Sequence, residues 1–346
     1  MSDEPLLLDG TGLTLDDVRR VAYGEIDRVE LSPDARRAMM RSRAFVEERV
    51  ASGVPVYGVT TGFGRMAEKV ISTEQRSRLQ RNLLRSHAVG LGDPLAIHEV
   101  RSIILLRANA LARGYSGIRP AVVDRLLAFL DRGWTPRVPS SGSVGASGDL
   151  APLAHVAVTL LGEGEIQVEG AFRPAGEVLA EAGWSPIELE AKEGLALING
   201  TQATTGLGIL AQLAARDALE ALEAAGAMSL EALQGTPEAF RPEVGQVRAH
   251  PGQVASAARL LRLLRNSEIR ESHRDGDPRI QDAYSLRCMP QVHGAAWQAL
   301  DYAASVLEVE ANSATDNPLI FPEQGAVTSA GNFHAQVVSQ ALDFVC

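Results

Sequence analysis

The chain has 346 residues, 45% of them hydrophobic and 22% charged, and its 43 acidic against 33 basic side chains leave a net charge of -10. That balance argues against nucleic acid or an anionic membrane as a partner, and two cysteines, Cys288 and Cys346, are too few for a disulfide framework or a Cys-rich zinc site. The acidic N-terminus lacks the basic start of a signal peptide, and no stretch reaches the roughly 18 apolar residues of a membrane span, so the expectation is a soluble, cytoplasmic protein that handles a small molecule.

In chain order, Thr14-Leu15-Asp16-Asp17 has the spacing of a capping box and predicts a short helix, and Ser32-Pro33-Asp34 opens a second that runs to Gly53. Tyr57-Gly58-Val59-Thr60-Thr61-Gly62-Phe63-Gly64 is too rich in glycine and threonine for a helix and reads as a loop, with Tyr57 as its packed aromatic. Ser72-Thr73-Glu74-Gln75 caps a helix through Leu79, Leu83 and Leu84 that ends at Arg85-Ser86-His87, where a histidine ordinarily serves as a C-terminal dipole partner. Helical patterns follow from His98 to Gly114 and from Pro120 to Arg132. Alternation from Ile166 to Arg173 around Gly170 is the one hairpin signal in the sequence.

Between those helices and the hairpin stands Ser140-Ser141-Gly142-Ser143-Val144-Gly145-Ala146-Ser147-Gly148-Asp149-Leu150, a run of small residues that favours a tight turn, followed by an apolar helix that Asp149 is placed to cap. Beyond Trp184 the composition shifts to alanine, leucine and glutamate. The reading is therefore mainly α: a mixed helical and loop domain over residues 1–190 that carries the Ala-Ser-Gly turn, then a long-helix bundle over 191–346. Within it, Ala203 to Leu222, Pro251 to Ile269 and Gly294 to Val309 are periodic enough for bundle helices. Gly206-Leu207-Gly208 follows no strand, so its glycines read as helix contacts rather than a nucleotide loop, and His273-Arg274-Asp275-Gly276-Asp277 reads as a solvated loop with no metal. Asn199 alone is a helix cap. Gln281, Tyr284 and Arg287 share one face if helical, and Phe333 after a glycine turn reads as core.

Taken together, these stretches resemble the aromatic amino acid lyases, and Ser86-His87 and Gln281-Asp282-Ala283-Tyr284-Ser285-Leu286-Arg287 resemble their histidine-specific members. The resemblance spans Tyr57 to Phe333 and takes in Asn312-Ser313-Ala314-Thr315-Asp316-Asn317-Pro318 and Gly331-Asn332-Phe333-His334; one departure is Gln336, where histidine-specific members carry glutamate. It implies that Ala146, Ser147 and Gly148 cyclise into 4-methylidene-imidazole-5-one. The Gly148 amide nitrogen attacks the Ala146 carbonyl carbon, and two waters leave, one carrying that carbonyl oxygen and one the Ser147 hydroxyl. It further implies an ammonia-lyase that converts L-histidine to urocanate and ammonia in a homotetramer. Tyr57 is the base, Asn199 and Tyr284 polarise the ring, Arg287 grips the substrate carboxylate, His87 faces the substrate side chain, and Gln281 and Phe333 line the site. Alternatives are an aminomutase or a phenylalanine or tyrosine ammonia-lyase on the same group, or a catalytically silent assembly protein. The apolar periodicity from Gln336 to Cys346 meets no terminating signal. The expectation is a chain that lacks further bundle helices and an acidic active-site residue.

Overall fold

A computed structural model describes residues 4–53, 61 and 73–346; Tyr57 lies outside them. The described chain is mainly helical and divides into two compact units, Met1–Leu210 with Val306–Gln340, and Ala211–Ser305 with Ala341–Cys346. The helix Gln202–Ala232 is shared between the two units, and residues 306–340 return to the first.

In the first unit, β1 (Leu6–Leu8) pairs in parallel with β2 (Val29–Leu31) around α1 (Leu15–Ala22). The Thr14 hydroxyl accepts the Asp17 N–H while the Asp17 carboxylate accepts the Thr14 N–H, which is the reciprocal cap that the sequence predicts. Ser32 caps α2 (Pro33–Ser52), and Gly53 ends it at φ 67°. Then come α3 (Thr73–His87), β3 (Leu91–Pro94) and α4 (Ile97–Ala112). From Val100 to Ala112 every residue of α4 is buried, so it has no solvent face and stands at the centre of the unit. The polar groups it carries inward are satisfied by neighbours. Arg101 donates to the carbonyls of Val21 (2.8 Å) and Leu130 (3.1 Å), tying α1 to α5 (Pro120–Asp131).

After α5, β4 (Thr135–Pro136) and β5 (Pro139–Ser141) lead into the Gly/Ser-rich turn and α6 (Leu150–Leu160). The hairpin expected between Ile166 and Arg173 is formed by β6 (Glu165–Val168) and β7 (Ala171–Pro174), with Ile166 opposite Arg173 and β4 added as a third strand. Its turn residues Glu169 and Gly170 both have positive φ, as a two-residue hairpin loop requires. It is not alone: β3 pairs with β5, and β8 (Leu319–Phe321) with β9 (Ala326–Thr328). Pairs this short are invisible to a test for alternation. Two more helices, α7 (Ala175–Glu181) and α8 (Glu193–Ile198), precede α9 (Gln202–Ala232). A Cβ on Gly206 of α9 would lie 2.6 Å from Ser102 Oγ on α4, so that glycine is a helix contact, as its context predicts.

The second unit is helical throughout its described elements: the greater part of α9, then α10 (Pro242–Gln246), α11 (Pro251–Leu263), α12 (Glu268–Ser272), α13 (Tyr284–Arg287), most of α14 (Met289–Ala311) and the end of α15 (Gln336–Val345). The helix expected from Pro251 to Ile269 stops at Leu263, because Asn266 turns to φ 62° and Ser267 caps α12 by accepting the Arg270 N–H. Leu230, Phe240, Leu260 and Met289 form one buried cluster, and Leu219, Trp297 and Leu300 another. A Cβ on Gly294 of α14 would come within 2.5 Å of the Gly252 backbone on α11, which makes both glycines a condition of that crossing.

Among the described residues of the first unit, Lys192 and Asp316 form a fully buried ion pair: Lys192 Nζ lies 2.7 Å from Asp316 Oδ2, with side-chain exposures of 0% and 1%. Burial pulls the Lys192 ammonium below its ordinary pKa while Asp316 pushes the other way. Asp316→Asn is expected to cost about 3–5 kcal/mol in urea unfolding, because it strands a buried cation, and the double variant Lys192→Met/Asp316→Leu to recover much of that loss.

Candidate active site

The Gly/Ser-rich stretch folds as a single 3-10 turn over Gly145–Ser147. The Ser147 N–H donates to Val144 O at 2.7 Å and the Gly148 N–H to Gly145 O at 3.2 Å, which turns the chain back on itself at the Ala-Ser-Gly triplet. Gly148 has φ 87°, a conformation that side chains resist, and a Cβ there would meet Gly200 O at 3.1 Å and Phe333 O at 3.3 Å. Two segments grip the turn. Asp149 N donates to Gly200 O (2.7 Å) on one side, and Ala335 N to Gly145 O (3.0 Å) on the other. Ala146 and Ser147 remain exposed, while Gly148 and Asp149 are buried.

Asp149 does not act as the sequence suggests. It occupies the residue before α6, but its side chain makes no bond to that helix. Its carboxylate instead accepts the Thr204 N–H (2.7 Å) and hydroxyl (2.7 Å), together with the Ser143 hydroxyl. It therefore caps the first turn of α9, whose orphan N–H groups and positive dipole end suit an anion better than the crowded start of α6. Asn199 ends α8 and is 6% exposed; its side-chain oxygen is buried with no hydrogen-bond partner among the described residues. Next to it the Thr201 hydroxyl donates to Glu310 Oε1 at 2.5 Å, and burial, with Asp149 nearby, pushes the Glu310 carboxyl above its usual range.

His87 closes α3 half-buried, with Nδ1 2.8 Å from Leu83 O. A carbonyl only accepts, so Nδ1 carries a proton in this contact, which leaves Nε2 as the ring nitrogen that faces away from it. Three residues on, the Gly90 N–H donates to His155 Nε2 at 3.0 Å, which fixes the exit from α3. In the second unit, Tyr284 and Arg287 lie on α13 with the Arg287 guanidinium 4.3 Å from the Tyr284 ring centroid. Gln281 precedes that helix, so the three residues do not share a helical face. Asp282 holds the approach out of helix by accepting the Thr236 N–H at 2.6 Å.

The aromatic amino acid lyase family matches the chain over residues 13–346. The chain belongs to that family. It is 52% identical to the histidine ammonia-lyase of Anaeromyxobacter sp. (strain K), over 98% of this chain and 68% of that protein. Among solved structures it resembles the histidine ammonia-lyase of Trypanosoma cruzi (TM-score 0.89, 40% identity, 99% of this chain and 63% of that one). It also resembles the tyrosine aminomutase of Streptomyces globisporus (TM-score 0.90, 39% identity, 99% and 68%).

The lyase's own residues fit the cyclised group expected at Ala146, Ser147 and Gly148. The turn is already folded back, Gly148 stands where no Cβ has room, and the neighbouring Asn199 amide holds unspent hydrogen-bonding capacity in a buried setting. Reading the sequence by itself missed Thr204, Glu310 and the cross-chain role of Asp149, all of which depend on contacts 55 residues or more apart. Only the acidic residue directly after the glycine hinted at them.

His155 generates a prediction. Burial, with Arg137 close by, holds its imidazole below the usual 6.5, as a ring that must stay neutral to accept the Gly90 N–H requires. A depressed folded-state pKa makes this contribution to stability complete above pH 6.5 and lost as the pH falls from there through the folded-state value. Unfolding free energies measured from pH 7.5 to 5 should fall more steeply in the wild type than in His155→Gln; identical slopes would remove His155 from this role.

Proposed function

We propose that the protein is a carbon-nitrogen lyase that converts L-histidine to urocanate and ammonia as a homotetramer, using an electrophile made from its own Ala146, Ser147 and Gly148. The observation that carries this reading is the turn over Gly145–Ser147, held between Gly200 and Phe333 with an obligate glycine after it. Relatives named histidine ammonia-lyase, 52% and 51% identical, support histidine as the substrate.

The methylidene-imidazolone that Ala146, Ser147 and Gly148 would form would supply an electrophilic carbon, the chemistry that makes an amine a better leaving group. The chain's residues do the rest. Arg287 holds the substrate carboxylate with the planar donor fork that suits two oxygens. His87, with Nε2 as acceptor, receives the imidazole N–H of the substrate. Tyr57 as phenolate takes the β proton, and ammonia departs with the C–N electron pair to leave the conjugated acid; each unit by which that phenol drops from about 10 needs about 1.4 kcal/mol of favourable field. Asn199 and Tyr284 would hold the group and polarise it by donating hydrogen bonds toward it. Gln281 and Phe333 complete the lining.

The likeness to tyrosine aminomutases favours one second reading, in which ammonia returns to the β carbon. Product analysis separates the two: free ammonia and an absorbing unsaturated acid, or a β-amino acid.

Ser147→Ala is expected to show the full uncyclised mass, with no water lost, in an intact-mass measurement, leave the melting temperature nearly unchanged, and lower turnover at least ~1,000-fold, or about 4 kcal/mol of barrier. Wild-type turnover in that variant would end the reading. His87→Leu should shift the kcat/KM ratio of histidine to phenylalanine by about tenfold or more, the worth of one good hydrogen bond. Arg287→Ala should instead lower kcat/KM for every amino acid by about 10- to 100-fold, the worth of a hydrogen bond to a charged group.

A further inference from the structure

Arg107 sits in the middle of α4 with 1% exposure, and among the described residues no carboxylate is one of its hydrogen-bond partners. Its donors go to the carbonyls of Ala196 (3.0 Å from Nε, with Nη2 on the same oxygen), Asn199 (3.0 Å) and Thr315 (3.3 Å), and to Gln202 Oε1 (2.8 Å). Burial pulls its pKa down to about 10 and Asp316 works against that shift, so the group is a cation at neutral pH. All four acceptors belong to the segment where α8 ends and α9 begins, or to the strand of chain beside it. The same segment presents Gly200 O to Asp149 N and walls in Gly148.

Gly200 shows how closely this is fitted. A Cβ there would come within 2.6 Å of Thr315 O and closer still to Arg107 Nη1 and Gln202 Oε1. The guanidinium therefore fills the space under the Asn199-Gly200 peptide, and the peptide's height above Gly148 follows from where the guanidinium sits. Folding alone does not need a cation here, because an apolar side chain beside a differently capped α8 would also fill a core.

We propose that Arg107 is a positioning residue for the cyclisation of Ala146, Ser147 and Gly148: it holds the Asn199-Gly200 peptide against the turn at the separation that cyclisation needs. The proposal rests on the reading of the turn as self-cyclising. Lysine in place of arginine keeps the charge but has one nitrogen where the acceptors form a spread fork, so the peptide loses its support without losing the buried cation. A misplacement on the order of 1 Å at reacting atoms can cost about 100-fold in rate.

The test follows cyclisation directly. Wild type, Arg107→Lys and Gln202→Met are made by cell-free synthesis, the folded chains are selected by resistance to protease, and the fraction that has lost two waters is read by intact mass at fixed times. Arg107→Lys should cyclise at least about tenfold more slowly than wild type, within the range that displacement costs, and Gln202→Met, which deletes one acceptor, by a smaller factor. A purely structural role would lower the melting temperature and leave the cyclised fraction of folded chains unchanged. Folded Arg107→Lys that cyclises at the wild-type rate overturns the proposal. If Arg107→Lys yields no folded chain, Gln202→Met decides: slower cyclisation supports the proposal, and the wild-type rate overturns it. A wild type that loses no water would sink the reading of the turn itself, and this proposal with it.

Discussion

Where α8 stops at Ile198 and α9 starts at Gln202, two helix ends meet inside the protein, and their unpaired carbonyls and N–H groups have no water to turn to. Arg107 answers the carbonyl end from one side and Asp149 the N–H end from the other. Each charge has the sign that the adjacent helix end favours. Neither is placed by its own element's needs, since Arg107 belongs to α4 and Asp149 to the chain before α6. The junction thus determines where the Ala-Ser-Gly turn sits, because Asp149 directly follows it.

The small residues around the turn follow from the same constraint. Gly148 faces Gly200, and Gly200 in turn faces the guanidinium, so two glycines let three layers of backbone and side chain stack with no room for a methyl group. The Phe333 carbonyl and the Ala335 N–H close the opposite side. A turn gripped at Gly145, Gly148 and Asp149 has little freedom left at Ala146 and Ser147 between them, while their side chains stay open to solvent. Restraint of the backbone with exposure of the hydroxyl is the arrangement that the proposed cyclisation calls for.

Several other polar side chains bridge elements inside the first unit. Arg101, Arg107 and Asn109 all lie in the fully buried part of α4, and each reaches elements far away in sequence. Lys192 and Asp316 add a buried pair beside them. Cores of this kind gain little net stability from each charge, but they tolerate few alternative arrangements, because every shifted element would leave a buried donor or acceptor unpaired.

Much was determined by sequence. Caps at Thr14 and Ser32, the helical periods of α4, α5, α9 and α14, and the hairpin around Gly170 depend on residues within a few positions of each other, so they are legible locally. The tight turn at Ala146-Ser147-Gly148 was legible as well, because a run of small residues around it favours a sharp bend. Tertiary structure alone decided what Asp149 does, since a carboxylate in a cap position binds whichever helix end comes nearest, and α9 begins 53 residues later. It alone broke the face expected of Gln281, Tyr284 and Arg287, because Asp282 found a backbone partner at Thr236. Arg107 carried no signal in the sequence at all: one arginine in an apolar helix reads as an intrusion until the carbonyls it serves, 89 to 208 residues away, are brought around it.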